Sequence, residues 1–141
     1  MRATSTHISI ICLLMVACAR PNLVETGPSH REKTDQAIVR EYFEAINARD
    51  LTALTKVLAE NAMISVGTHS WGKATELKNR TDQWSRDPKY AIEIKSMAGS
   101  SEAVKARVIV TYMAHGRLQS QEIENVFKVQ NKQISQAVLS P

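Results

Sequence analysis

The hydrophobic residues of this chain follow two spacings, and the spacing changes near residue 90. Before that point they recur about every three or four positions, as on one face of an α-helix. After it they alternate with polar residues, as in a β-strand that buries one of its faces. The pattern therefore predicts a domain in which helices come first and a sheet follows.

Three helices are predicted in the first part of this domain. Thr34 or Asp35 caps the first helix and Asp50 caps the second, because these side chains accept hydrogen bonds from the free N–H groups of a first turn. Gly72 opens the third helix and Pro88 ends it. The face of the third helix that points to the core is predicted to carry Ala74, Leu77, Thr81 and Trp84.

A short strand over residues 62–66 and a meander of four antiparallel strands after residue 90 complete the prediction. Turns at residues 99–101, 115–116 and 131–132 join the four strands, and with these turns one mostly apolar set of residues falls on a single face. The alignment places Ile92 opposite Val108, Ala106 opposite Asn125, Arg107 opposite Glu124, Val129 opposite Ile134, and Phe127 opposite Gln136. Helices on one face of such a sheet make an α+β fold.

Composition and charge narrow the function classes. The chain has 141 residues, 18 Lys and Arg against 14 Asp and Glu, and a net charge of +4. The basic residues form no run and do not alternate with aromatic residues, so we predict no nucleic-acid partner. Both cysteines, Cys12 and Cys18, precede the domain, which can therefore form neither a disulfide nor a thiolate metal site.

The first eighteen residues have the features of a secretory signal. Arg2 precedes an apolar run over residues 8–17, which is too short to span a bilayer of about 30 Å as a helix. The run ends in Met15-Val16-Ala17-Cys18, which resembles the signal of bacterial lipoproteins, although Leu is the usual residue where Met15 stands. The resemblance implies cleavage before Cys18 and attachment of a lipid to it. An ordinary cleaved signal, in which Cys18 has no role, is the alternative.

Residues 19–33 contain Pro21, Gly27 and Pro28 and have almost no apolar periodicity, which is typical of a flexible tether. We therefore predict a signal peptide over residues 1–18, a tether over 19–33 and a single domain over 34–141. The protein is expected to be an exported, membrane-anchored lipoprotein that faces the periplasm or the cell exterior.

Several stretches of the domain resemble nuclear transport factor 2-like domains. They are the run from Arg40 to Leu51, the run from Leu58 to Ala62, Trp71-Gly72-Lys73, and the closing hairpin over residues 126–138. The resemblance implies a cone-shaped, cystatin-like fold, with three N-terminal helices on a curved antiparallel sheet and a pocket between them. This superfamily includes ketosteroid isomerase-like enzymes, polyketide cyclases, dehydratases and binding domains without activity, so it implies no single function.

The sheet face that points into this pocket lacks a catalytic base. Its polar residues are predicted to be Tyr90, Ser96, Tyr112, Gln119, Gln121, Asn125 and Gln136, with no carboxylate, histidine or lysine. Amide groups bind a carbonyl but exchange no proton near neutral pH. A bulge that turned Glu122 or Glu124 inward would supply a base, and His69 is the remaining candidate. His69 and His115 are not spaced as ligands, so we expect neither a metal nor a cofactor.

These residues lead to two hypotheses. The first is a non-enzymatic, envelope-tethered domain that binds a small apolar ligand or serves as an accessory module; the alternative is an isomerase, cyclase or dehydratase of the ketosteroid isomerase-like type. The residues expected to line the pocket are Tyr42, Trp71, Trp84, Tyr90, Tyr112, Gln121 and Asn125. On the outer sheet face, an apolar patch of Ile109, Val126, Ala137 and Leu139 would let two copies form a homodimer.

Overall fold

A computed structural model of the chain describes residues 30–99 and 102–141. The elements are α1 (His30–Ala48), α2 (Leu51–Val57), β1 (Leu58–Val66), β2 (His69–Gly72), α3 (Lys73–Arg86), β3 (Ala91–Gly99), β4 (Val104–Ala114), β5 (Arg117–Gln130) and β6 (Gln133–Leu139). The predicted signal peptide with Cys18, and the predicted tether up to residue 29, lie outside the described residues. Within the described ranges, no helix combines the length and the apolar character needed to cross a bilayer.

The predicted starts of α2 and α3 and the predicted end of α3 agree with the structure. The Asp50 carboxylate accepts a hydrogen bond from the Ala53 N–H at 2.9 Å and caps α2, as predicted. Gly72 and Asp87 flank α3, which confirms both of its ends. The prediction for α1 was wrong, because this helix already begins at His30 and includes four residues that were assigned to the tether.

The six strands form one sheet in the order β2-β1-β6-β5-β4-β3. All neighbours are antiparallel except β1 and β6, which run parallel. The predicted α+β architecture, three helices on a curved sheet, is confirmed, with one parallel pair that was not foreseen. Two details differ: β1 begins at Leu58 rather than at residue 62, and the short strand β2 was not predicted.

The central pair, β4 and β5, has the predicted register along its whole length. Ala106 lies opposite Asn125 and Arg107 opposite Glu124. The turn between the strands consists of His115 and Gly116, both at positive φ, as a two-residue hairpin turn requires. Arg107 makes its ion pair diagonally, however, with Nε at 3.4 Å from Oε1 of Glu122.

The predicted pairing of β3 with β4 was wrong by two residues. Ile92 pairs with Val110 rather than Val108, and an irregularity between Ile94 and Ser96 shifts the ladder once more. Such a bulge reverses which side chains point inward beyond it. Ser96, predicted to face the pocket, is therefore exposed, and Met97 packs against the core instead.

A second bulge changes the outer face of the sheet. Val129 pairs with Ile134 as predicted, but Ser135 is an extra residue on β6, so Phe127 faces Ala137 rather than Gln136. Ala137 and Leu139 are consequently buried in the core, while Gln136 is exposed. The predicted outer patch thus loses two of its four members and keeps Ile109 and Val126, both half-buried.

The core lies between α1 and the inner face of the sheet. Its centre is a cluster of three aromatic rings, Tyr42, Phe43 and Phe127, with centroids 5.4 to 5.5 Å apart in edge-on contact. This geometry suits the ring quadrupoles. At the side of the core, the Asn47 amide exchanges two hydrogen bonds, of 2.7 and 2.8 Å, with the backbone of Ile92 and holds β3 against α1.

Candidate ligand-binding site

A cavity of about 770 Å³ opens between α3 and the inner face of the sheet. Its volume falls within the range of about 300 to 1,000 Å³ that is usual for small-molecule sites. The wall consists largely of apolar and aromatic side chains from α1, β3, β4 and β5, among them Phe43, Ile92, Val110 and Ile123. Polar groups are concentrated on α3, and β5 adds Gln121 and Asn125.

The structure brings most of the expected pocket residues together. Those on the cavity wall are Tyr42, Trp71, Tyr90, Tyr112, Gln121 and Asn125. Trp84 lies elsewhere: it packs half-buried against the core, and its indole N–H is buried without a hydrogen-bond partner among the described residues. Of the other residues expected on the inner sheet face, Gln119 and Gln136 are exposed and do not line the cavity.

The face of α3 that turns inward is not the predicted one. Ala74 and Thr81 are exposed, whereas Lys73, Glu76 and Arg80 are buried. Lys73 pairs with Glu60 of β1 at 2.6 Å, at the start of the helix. Glu76 and Arg80 face the cavity, so the inference that no carboxylate points inward was wrong for α3. It stays true for β5, where Glu122 and Glu124 are exposed.

Glu76 is the centre of the polar wall and is only 1% exposed. Its Oε1 accepts hydrogen bonds from the Tyr42 hydroxyl at 3.0 Å and from Arg80 Nε at 2.7 Å. Its Oε2 accepts one from the Trp71 indole N–H at 2.7 Å. A buried carboxylate is tolerated only when it is paired and hydrogen-bonded. Glu76 meets both conditions through three donors.

Arg80 extends the network across the wall. Its Nη2 donates to the Tyr42 hydroxyl at 3.0 Å and its Nη1 to the Gln83 side-chain oxygen at 2.9 Å. Burial raises the pKa of the Tyr42 hydroxyl well above its ordinary value, so this group stays neutral and keeps donating to Glu76. Tyr42, Glu76 and Arg80 therefore form a closed triangle of hydrogen bonds, to which Trp71 and Gln83 are attached.

Asn125 presents a free donor from the sheet. The residue is 4% exposed, and its Oδ1 accepts a hydrogen bond from the Ser140 N–H at 3.0 Å. Among the hydrogen bonds between described residues, none involves its Nδ2, and the residue lies on the cavity wall. The Nδ2 group is therefore available to a molecule in the cavity.

The turn after α3 forms the rim of the cavity and is tied down at several points. Arg49, in the turn directly after α1, donates to the Pro88 carbonyl at 2.6 Å and to the Trp84 carbonyl at 3.4 Å. Asp87 accepts from the backbone N–H groups of Lys89, at 3.1 Å, and of Met113, at 2.9 Å. Asp87 thus serves to fix the rim, although it also borders the cavity.

The two histidines lie away from the cavity. His69 begins β2 and is exposed, and His115 occupies the exposed hairpin turn between β4 and β5. The part of the chain that the structure describes holds no group of three His, Cys, Asp or Glu side chains that could bind a metal ion. The titratable side chains on the cavity wall are those of α3 and its following turn, together with three tyrosines.

The sequence did contain one signal for this site. Glu76 and Arg80 are four residues apart, so on a helix they share one face. The same spacing also describes the exposed pair Lys78 and Asp82, which are 2.7 Å apart. Only the positions of Tyr42 and Trp71, which are supplied by other elements, distinguish the buried pair from the exposed one.

These two pairs on one helix allow a matched test. Glu76→Gln leaves the Arg80 charge buried without its partner, and we expect a loss of about 3 to 5 kcal/mol in the free energy of unfolding, measured with urea. Asp82→Asn removes the exposed pair and should cost at most about 1 kcal/mol. Equal, small losses in both variants would contradict the closed network described above.

Comparisons with known proteins agree with this architecture. A family model described as a SnoaL-like domain matches residues 39–137. A search of curated proteins gave no match.

Solved structures resemble this one at low identity. An epoxide hydrolase of M. tuberculosis, similar to LEH, has a TM-score of 0.70 at 13% identity, over 77% of this chain and 83% of that one. IdmH of Streptomyces antibioticus, a candidate polyketide cyclase, has a TM-score of 0.67 at 15% identity, over 74% and 88%. An uncharacterised cystatin-fold protein of Novosphingobium aromaticivorans has a TM-score of 0.65 at 17% identity, over 74% and 95%. At these identities the likeness shows the fold alone.

Proposed function

Because the chain belongs to the family of SnoaL-like domains, we propose that it binds a small, largely apolar ligand in the cavity between α3 and the sheet, without catalysing a reaction on it. The observation that carries this proposal is the hydrogen bonding of Glu76. Three protein donors already bind this carboxylate, and one of them is the buried guanidinium of Arg80, so taking a proton from a ligand would leave the Arg80 charge without its partner.

The remaining groups of the cavity support binding in the same way. Asp87, the other carboxylate on the wall, accepts two backbone N–H groups and holds the rim. The raised pKa of Tyr42 makes its hydroxyl a poor acid near neutral pH. Apolar side chains from β1, β3, β4, β5 and β6 also line the wall and would exclude water from an apolar ligand.

An isomerase, cyclase or dehydratase that uses the same cavity is the alternative. The presence of a buried carboxylate beside a buried tyrosine favours it, since buried titratable groups often belong to active sites. General acid–base catalysis, however, needs a group that can take up and release a proton in place. In this alternative, each protonation of Glu76 during turnover would leave the buried Arg80 charge without its partner.

The binding function can be tested on protein purified from its own envelope extract. Native mass spectrometry should find a bound small molecule, and Ile123→Trp should remove it, because this side chain points into the cavity. Ile109→Trp is the matched control on the outer face of the neighbouring strand and should keep the ligand. Retention of the ligand in Ile123→Trp would refute the cavity as its site.

The recovered ligand then distinguishes binding from catalysis. Incubated with fresh protein in D2O, it should keep its mass and take up no carbon-bound deuterium. A new product, or deuterium uptake that Glu76→Gln abolishes, would instead establish the enzyme alternative.

We also propose that the domain is tethered to a membrane of the cell envelope through a lipid on Cys18. Support comes from the sequence, in which this cysteine ends an apolar run of signal-peptide length and is followed by a stretch rich in Pro and Gly. A tethered domain would present its cavity to molecules at the membrane surface.

The anchor has its own matched control, because the chain contains exactly one other cysteine. Cells fed with labelled palmitate should attach label to the wild-type chain and to Cys12→Ala, and Cys18→Ala should lose the label and leave the membrane fraction. Labelling that survives in Cys18→Ala, or an unlabelled wild type, would exclude the anchor.

A further inference from the structure

The hydrogen-bonding capacity of the polar wall is unequally used. The carboxylate of Glu76 already accepts three hydrogen bonds, from Tyr42, Trp71 and Arg80. The guanidinium of Arg80 has five N–H groups. Its described bonds, to Glu76, Tyr42 and Gln83, use three of them. Within this network, the polar groups that remain available to a ligand are therefore mainly donors.

A second donor lies on the opposite side of the cavity. Asn125 projects from β5, while Arg80 projects from α3, and both side chains line the same space. The Asn125 Oδ1 is held by the Ser140 N–H, which fixes the amide so that its Nδ2 is the group left for a ligand. A ligand between helix and sheet would thus meet N–H groups from both sides.

The charges on the wall decide which kind of acceptor fits. Arg80 is already compensated by Glu76 at 2.7 Å, and the wall carries one further side-chain charge of each sign, Arg86 and Asp87, so that its side-chain charges sum to zero. An anionic ligand would bring a second negative charge close to Glu76 in a largely buried site, where an uncompensated charge is strongly unfavourable. A cationic ligand would meet the N–H groups of Arg80. A neutral acceptor avoids both penalties.

We propose that the ligand is an uncharged molecule with an apolar body and a carbonyl or ether oxygen, which accepts hydrogen bonds from Arg80 and Asn125. This inference rests on the proposed binding function and specifies the class of ligand. The apolar body lies against Ile92, Val110 and Ile123, and the oxygen points to the polar wall.

Three probes of matched shape test the ligand class: 1-adamantyl methyl ketone, adamantane-1-carboxylate and 1-(1-adamantyl)ethylamine. Calorimetric titration of the full-length protein at neutral pH should give the ketone an affinity at least about tenfold above those of the anion and the cation. Both proteins are titrated in the same detergent, which keeps a lipid-anchored chain in solution. The titration of Ile123→Trp corrects for the partitioning of the probes into detergent micelles and should show no specific binding.

Asn125→Asp tests the proposed contact directly. This variant keeps the oxygen that binds the Ser140 N–H but replaces the donor by an acceptor, so the affinity for the ketone should fall about tenfold. Gln136→Glu adds the same charge on the exposed outer face of β6 and should leave the affinity unchanged. If Asn125→Asp does not fold, the ranking of the three probes on the wild-type protein still tests the ligand class.

The outcomes separate this inference from the proposed function. Any other ranking of the probes, including no binding of the ketone, overturns the ligand class, and so does full ketone affinity in Asn125→Asp. The proposed binding function is tested by a different experiment, the recovery of a cellular ligand and its loss in Ile123→Trp. That experiment can fail even when the ketone binds most tightly of the three probes.

Discussion

The burial of the Glu76 carboxylate is the constraint on which the arrangement of this domain depends. A carboxylate that is 1% exposed must be paired and hydrogen-bonded, or it would not remain charged inside the protein. Its three donors come from three elements: Tyr42 from α1, Trp71 from β2 and Arg80 from α3. Satisfying one buried charge therefore fixes the helix that covers the sheet, the short edge strand and the third helix relative to one another.

This constraint explains why α3 turns a polar row inward. By apolar spacing alone, Leu77 and Trp84 define the inner face of the helix, and both do pack against the core at its side. The row of Glu76 and Arg80 lies deeper because its partners are there. Tyr42 in turn belongs to the aromatic cluster of the core, in contact with Phe43 and Phe127. The cavity is thus walled on one side by a polar network and on the other by the apolar face of the sheet.

Much of the fold was predictable because it depends on local rules. The Asp50 cap, the ends of α3 and the two-residue turn at His115-Gly116 follow from the preferences of single residues. The register of β4 and β5 follows from that turn, because a two-residue loop leaves no freedom in the pairing. Pocket residues such as Tyr112 and Asn125 were then placed by alternation alone.

The errors arose where tertiary contacts override local preference. Two bulges, one between Ile94 and Ser96 and one at Ser135, reverse the alternation of inward and outward side chains beyond them. The neighbouring sequence indicates neither bulge. The second bulge moves Ala137 and Leu139 into the core. The charged side of the candidate site was missed for a related reason, since a pair of opposite charges four residues apart on a helix is normally solvated.

A crystal structure with the cellular ligand bound tests the central claim most directly. We predict that Glu76 keeps its contacts with Tyr42, Trp71 and Arg80 and that the ligand's oxygen lies within hydrogen-bonding distance of Arg80 and Asn125. A Glu76 carboxylate that has released one of these donors and contacts the ligand itself would contradict it and would identify the cavity as an active site.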